Sequence, residues 1–275
     1  MDKKYVDLHV HTTASDGTFT PSQVVEKAKE FGFSAIAIAD HDTTQGIAEA
    51  FKKGEELGIE IVPSIELSAY YNNLEMHVLG YYFNWQDGTF NEKLLALRDT
   101  RRERAVKIVE KLKTSGINLN INEILQNAGE DKAIGRPHIA QQLIKEGYCK
   151  DVSEVFEKYL GEGCVGYVPK PKLTPQQAFA VIKEYGGIPV IAHPMINNVN
   201  ESLPELIKDG AMGIEVYHTE HTYKQSQYLW NFATKNNILI TGGSDCHGLI
   251  KEDILMGKIK LPYSYLEKLK AAVQI

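Results

Sequence analysis

The histidines are the residues of this chain best suited to chemistry, and they recur at one kind of place. His9 and His11 stand two apart in Val6-Asp7-Leu8-His9-Val10-His11. Alternate side chains of an extended strand share a face, so both imidazoles point one way, with backbone positions about 6.6 Å apart. Two imidazoles at that spacing can bind one metal from adjacent corners, while Val6, Leu8 and Val10 face apolar packing on the other side. Asp245 and His247 repeat the spacing of two. Asp40, His41 and Asp42 close the run Ala35-Ile36-Ala37-Ile38-Ala39, and Glu66 follows Ile61-Val62-Pro63-Ser64-Ile65. His193 follows Val190-Ile191-Ala192, and Glu215 interrupts an apolar run with His218 just beyond it.

A lone histidine at a strand end is ordinarily a hydrogen-bonded structural residue. The same chemistry at six strand ends makes a metal-binding cluster the better reading. Asp40 and Asp42 stay open between partners that orient His41 and turn or helix-capping residues, and capping is favoured for Asp42. His218 is open between a substrate contact and a structural histidine. His138, after Gly135-Arg136-Pro137 at a helix start, is not expected to be a ligand. His221 is expected to be exposed on the first turn of a helix.

The elements that must deliver these side chains alternate between short apolar runs and helical patterns, the sign of βα units around a parallel sheet. Strands are predicted at Tyr5–Val10, Ala35–Ala39, Glu60–Ile65, Ile188–Ala192, Gly213–Val216 and Ile238–Thr241, with Val78–Phe83 in a hairpin with the segment before it. Helices are predicted at Pro21–Phe31, with Thr20 as cap and Pro21 at its first position, and at Gln45–Leu57, Pro175–Tyr185, Thr222–Asn236 and Tyr263–Val273. In a β/α barrel the active site lies at the C-terminal ends of the strands, which is where the histidines and carboxylates fall. The stretch 91–159 is almost all helical. It reads as an insertion, with a lid as one role open to it, in a barrel built from 1–90 and 160–275.

A length of 275 residues is ordinary for one such barrel. Hydrophobic residues are 43% and charged residues 24%, which argues against disorder. The net charge of -6 argues against a nonspecific duplex-DNA binder, so a nucleic-acid substrate would need a local basic patch. The three cysteines are odd in number and form no C-x-x-C pair, which fits reduced thiols in a cytoplasmic protein. The first residues turn polar before a signal-peptide core could form. No apolar run approaches the roughly 20 residues that span a membrane, so Asn200-Glu201-Ser202 is read as a chance sequon. Gly161-Glu162-Gly163-Cys164-Val165-Gly166 matches G-x-G-x-x-G literally but lacks the strand and helix context of a dinucleotide site.

These motifs together resemble the polymerase and histidinol phosphatase (PHP) superfamily along essentially the whole chain. The matching segments are Asp7-Leu8-His9-Val10-His11-Thr12-Thr13-Ala14-Ser15-Asp16-Gly17 with Thr20-Pro21, then Ile38-Ala39-Asp40-His41-Asp42-Thr43, Glu66, His77, Ala192-His193-Pro194 and Ser244-Asp245-Cys246-His247-Gly248. Gly135-Arg136-Pro137-His138 and Tyr167-Val168-Pro169-Lys170 are similar to the standalone phosphoesterase branch that acts on nucleoside 3',5'-bisphosphates and, as a 5'-3' exoribonuclease, on short RNA. The resemblance implies an α/β fold, a distorted (β/α)7 barrel with a helical insertion, and a three-metal site. It places His9, His11, Glu66 and Asp245 on one metal and Asp16, His41 and His247 on a second. Glu66 would bridge to a third, with His77 and His193. Asp16 enters only by this resemblance, since its own spacing reads as a turn residue before Gly17.

The implied activity is hydrolysis of phosphate monoesters on nucleotides by a metal-activated hydroxide. Imidazole and carboxylate ligands without thiolate suit two or three divalent ions of Mn, Fe or Zn. Arg136 is the candidate phosphate clamp, because guanidinium matches phosphate as a two-pronged donor and a helix start favours anions. Lys170 is a second candidate. His218 could bind phosphate or donate a proton to the leaving oxygen. Arg101, Arg102 and Arg104 read as a solvated helix face. The expected partner is a small phosphorylated compound, a nucleotide or short RNA, with no membrane and no duplex DNA. Histidinol-phosphate phosphatase and a non-catalytic metal-binding module are the alternatives.

Overall fold

The computed structural model describes residues 4–72, 74–128, 134–169, 173–250 and 253–273, with the side chains of 97–101 outside that description. The strands are β1 (Tyr5–Val10), β2 (Ala35–Ile38), β3 (Glu60–Tyr71), β4 (Leu74–Tyr81), β5 (Ile188–Ile191), β6 (Gly213–His218), β7 (Leu239–Gly243) and β8 (Leu261–Pro262). The helices are α1 (Pro21–Glu30), α2 (Gln45–Leu57), α3 (Gly88–Thr114), α4 (Ile121–Ala128), α5 (Arg136–Lys145), α6 (Val152–Val155), α7 (Pro175–Glu184), α8 (Leu203–Lys208), α9 (Tyr223–Lys235) and α10 (Ser264–Ala272). A π-helical turn, Phe156–Leu160, continues α6. No described helix is long and apolar enough to cross a membrane.

The chain divides into two compact units, Met1–Asn91 with Lys172–Ile275, and Glu92–Pro171. In the first, the strands run in the order β7-β6-β5-β4-β3-β2-β1-β8. β1, β2 and β3 are parallel, as are β5, β6 and β7, and β4 runs antiparallel to both neighbours. The ring closes where β7 meets β1: Val10 bridges Cys246, the Asp245 amide donates to the His9 carbonyl at 2.9 Å, and the His11 amide donates to the Cys246 carbonyl at 3.0 Å. A side chain at Gly243 would put its Cβ 2.4 Å from the His9 amide nitrogen, so only glycine lets the strands close. β1 to β7 thus form the distorted seven-stranded barrel that the family resemblance implies, and the antiparallel β4 is the distortion.

Local sequence accounts for the helices around it. α1, α7 and α9 each begin with a threonine whose hydroxyl accepts from the amide of a glutamine three residues on, while that glutamine reaches back to the cap. α2 ends at Gly58, whose φ of 68° suits glycine. Val6, Leu8, Val62, Leu79, Tyr81 and Val190 belong to the apolar core that supports the site.

Two expected boundaries change. β3 does not stop at Ile65 but runs to Tyr71, and β4 begins at Leu74 rather than Val78. The two strands pair from Ser64↔Tyr81 to Tyr71↔Leu74, so the ladder itself holds the chain extended past the apolar run. Glu66 and His77 therefore lie inside strands.

The second unit is helical, with its own core of Ile108, Leu112, Ile139, Leu143, Val155 and Leu160. The sequence draws the insertion as 91–159. The turns that follow belong to the helical unit, because the Arg104 Nε donates to the Val168 carbonyl at 2.8 Å and the Lys111 Nζ to the Tyr167 carbonyl at 2.7 Å. Arg104 is buried, which corrects its reading as part of a solvated face. Arg102 is exposed, and the side chain of Arg101 lies outside the described residues.

Candidate metal centre

β1 brings His9 and His11 into the barrel lumen, both fully buried. Their Nε2 atoms are 3.1 Å apart. Both face Glu66 Oε2, at 3.3 and 3.1 Å, and Asp245 Oδ1, at 3.5 and 3.1 Å. Around this point the candidate ligand atoms fall into three overlapping groups: His9, His11, Glu66 and Asp245; His11, Asp16, His41 and His247; and His41, Glu66 and His77. Within each group one nitrogen or oxygen per residue lies within 4.8 Å of all the others. Asp16 Oδ1 is 3.3 Å from His247 Nε2, and His77 Nδ1 is 2.9 Å from Glu66 Oε1. His193 Nε2 is 3.1 Å from Glu66 Oε1 but falls outside the third group, where His41 takes its place.

The ring partners decide what these imidazoles can offer. His9 Nδ1 lies 3.1 Å from Glu215 Oε1, an acceptor, so that nitrogen carries the proton. His247 Nδ1 faces the Asp245 carbonyl at 3.0 Å, and His193 Nδ1 faces the Asn197 side-chain oxygen. In each case Nε2 is left as a lone pair aimed at a carboxylate or another ring nitrogen. Acceptor facing acceptor in a buried site is unfavourable unless a proton or a cation lies between. His11 Nδ1, His41 Nδ1, His77 Nδ1 and Asp245 Oδ1 are also buried without a hydrogen bond among the described residues. The donor set and the orphaned atoms both fit divalent cations.

The electrostatics point the same way. Burial disfavours a charged His9 and His11, yet the surrounding carboxylates outweigh it. Glu215, Glu66 and Asp245 hold His9 well above its usual range, and Asp245 and Glu66 lift His11 to about 10. His77 rises to about 9 against its burial, through Glu66. Burial lowers His41 to about 4, with His11 and His77 adding to the effect. Burial alone would raise Glu66, Asp16 and Asp245, but the imidazoles hold all three below the carboxylate range. Negative charge that attracts protons to these rings also attracts metal ions, and the two compete.

His218 has the opposite arrangement. Its Nδ1 accepts from the Glu220 amide at 3.1 Å, so Nε2 carries the proton and points at Asp245 Oδ2, 3.4 Å away. It offers the cluster a donor, not a lone pair.

The Asp40 carboxylate makes no hydrogen bond to the His41 ring among the described residues. It accepts from the Thr12 amide at 2.7 Å, the Thr12 hydroxyl at 2.7 Å and the Ser15 hydroxyl at 2.6 Å. It thereby fixes the turn that carries Asp16. Asp42 caps no helix, since the cap of α2 is Thr44, and its Oδ1 faces the Ser68 amide. His221 lies between β6 and α9, not on a helical turn. It is partly buried, with Nδ1 on the Val216 carbonyl at 3.0 Å, which corrects its expected exposure. His138 Nδ1 accepts from the Gly135 amide in the cap of α5.

Sequence reasoning singled out Glu215 without its role, and missed Asp7 and Asn197. Glu215 holds His9 and also accepts from the His193 amide at 2.9 Å. Asp7 accepts from the Ser244 amide at 2.9 Å, and burial raises its pKa to about 6. The signal for Asp7 was present: it shares the period-two face of His9 and His11. Asn197 had no such signal. His193 and Asp245 adopt positive φ angles of 24° and 51°, an uncommon backbone state that clusters at functional positions. In the helical unit, Arg136 opens α5, stacks over Phe156 with 5.1 Å from guanidinium carbon to ring centre, and donates to the Leu160 carbonyl. Lys170 lies outside the described residues.

With this geometry in hand, the match of residues 7–219 to the PHP domain model is decisive. The chain belongs to the PHP domain family. It is 34% identical over 248 residues to the 5'-3' exoribonuclease Rnm of Escherichia coli, covering 88% of this chain and 84% of that protein. It is 31% identical over 247 residues to the 3',5'-nucleoside bisphosphate phosphatase of Chromobacterium violaceum, covering 88% and 87%. A crystal structure from Bifidobacterium adolescentis, assigned as a metal-dependent phosphoesterase, superposes with a TM-score of 0.84 at 31% identity over 97% of this chain and 95% of that one.

Proposed function

We propose that this PHP protein is a cytoplasmic metal-dependent phosphoesterase that removes phosphate from nucleotides, namely nucleoside 3',5'-bisphosphates and the 5' ends of short RNA. The observation that carries the reading is the convergence of lone pairs from His9 and His193 on the buried Glu66 carboxylate, with that of His247 aimed at Asp16. Its substrate class rests on the named relatives.

His9, His11, Asp16, His41, Glu66, His77, His193, Asp245 and His247 would hold two or three divalent ions, and imidazole with carboxylate suits Mn, Fe or Zn. Such ions supply positive charge to the phosphoryl oxygens and acidify water. The protein's own part is positioning and proton transfer. Glu215 and Asn197 fix the ring orientation of His9 and His193. His218, with its proton on Nε2 beside Asp245, is proposed to donate to the leaving oxygen or to bind phosphate. Arg136 and Lys170 are proposed phosphate-binding residues on the chemistry of their side chains.

A hydrolysis screen of the metal-loaded protein tests this. Nucleoside 3',5'-bisphosphates and 5'-phosphorylated oligoribonucleotides should be turned over, and chelation should stop turnover until metal is restored. Preferential hydrolysis of histidinol phosphate would overturn the substrate assignment. Metal uptake without hydrolysis of any phosphoester would overturn the enzymatic one.

A further inference from the structure

A cavity of about 340 Å³ lies against the end of β6, lined by Tyr217, His218, Tyr223, Ser226, Gln227 and Trp230 among others. Tyr223, Ser226, Gln227 and Trp230 recur at i, i+3, i+4 and i+7, which places them on one face of α9. Tyr223 is 81% exposed and Trp230 40% exposed. Large aromatic rings left to water beside a cavity mark a binding surface more often than a packing one. The Ser226 hydroxyl and Gln227 amide have no hydrogen-bond partner among the described residues, so donors and acceptors stand free between the rings. His218 joins this cavity to the metal centre: it lines the wall, and its Nε2 reaches Asp245.

We propose that this cavity binds the nucleobase of the substrate, stacked on the α9 aromatic residues, while the phosphate lies at the metal centre on the His218 side. The proposal rests on the nucleotide reading above and extends it to the site of base recognition. The volume lies near the lower end of the roughly 300–1,000 Å³ of ligand pockets, which suits one base and its sugar. An exposed aromatic ring tolerates any base, because every base has a π-face. Gln227 can hydrogen-bond a base edge as both donor and acceptor.

The test uses the two tryptophans, Trp85 and Trp230. Trp85 stacks on Phe51, so Trp85→Phe leaves Trp230 as the single reporter. Adenosine 5'-monophosphate should quench its fluorescence saturably, and ribose 5-phosphate should not. Tyr223→Ala should raise the half-saturating nucleotide concentration about tenfold, the size of a lost base–aromatic stack. In turnover, Tyr223→Ala and Trp230→Leu should lower the ratio of kcat/KM for a nucleoside 3',5'-bisphosphate over that for ribose 5-phosphate by about tenfold. A 5'-phosphorylated dinucleotide should show the same loss if the terminal base of an RNA uses the cavity. Equal quenching by the nucleotide and the sugar phosphate, or an unchanged ratio, overturns the proposal. Selective quenching without hydrolysis would leave the base cavity standing and remove the phosphoesterase reading. Hydrolysis with base-independent quenching would do the reverse.

Discussion

The two units of this chain bury opposite things. The barrel interior holds Asp7, His9, His11, Asp40, Glu66, His193, Glu215 and His218. The helical unit buries an apolar core in which Arg104 and Gln142 are the buried polar residues among those described. Burying ionisable groups is costly unless they are paired or hold metals, so a fold shaped only for stability would resemble the helical unit. The barrel accepts that cost because its lumen is where a charge-compensated cluster can be kept from water. Stability in one unit and charge placement in the other should therefore respond to different substitutions.

The largest effect on turnover is expected from Asp245→Asn. It removes a carboxylate charge but almost no volume, and asparagine tolerates the positive φ at this position. Hydrolysis should fall by at least about 100-fold, the upper end of what loss of even an indirect partner of a metal costs. The circular dichroism spectrum should be unchanged. Wild-type turnover at saturating metal would show that the barrel cluster is not the reactive centre.

Glu215→Gln comes next. The carboxylate serves His9 with one oxygen and the His193 amide with the other, and glutamine keeps an oxygen for only one of them. A drop of about 10- to 100-fold in metal affinity or activity is expected, read by metal content and kinetics together. An unchanged metal content with full activity would make Glu215 a bystander.

Arg136→Ala should lower kcat/KM by about tenfold, since hydrogen bonds to charged groups are worth roughly 1.5–3 kcal/mol, while metal content stays constant. Arg136→Lys should recover part of this, because lysine is a point charge rather than a fork. Full efficiency in Arg136→Ala would leave the stack on Phe156 as the residue's role and confine the chemistry to the barrel. The smallest effect on turnover is expected from Leu143→Ala. It opens a cavity in the helical core and should cost about 2–5 kcal/mol of stability in chemical unfolding, with kcat nearly constant at low temperature. A loss of metal from this variant would break the contrast between the units.

Much of this was legible because a strand has a period of two. His9, His11, Asp245 and His247 could be placed on shared faces from spacing alone, and the C-terminal strand ends told where they meet. Asp16 was not legible that way. It sits in a turn whose shape is set by Asp40 through Thr12 and Ser15, a contact between segments far apart in sequence. His77 was hidden because its strand runs backwards and its apolar residues suggested a later start. Glu215 was visible as a charge in an apolar run, but only the fold shows that it serves two histidines. The helical unit was legible as helices, while the burial of Arg104 depends on a turn more than 60 residues away.

The reversed direction of β4 also constrains how the chain can change length. His11, His41, His193, Asp245 and His247 lie just past the last residues of β1, β2, β5 and β7, where the chain has left the sheet. His77 instead lies three residues into β4, paired with Ser68. One residue inserted between Leu74 and His77 would turn the imidazole to the opposite face of the sheet, while Glu66 stayed in place. Two residues would restore the face but displace the ring by about 6.6 Å along the strand. An odd insertion early in β4 would thus remove a ligand without altering a single ligand residue.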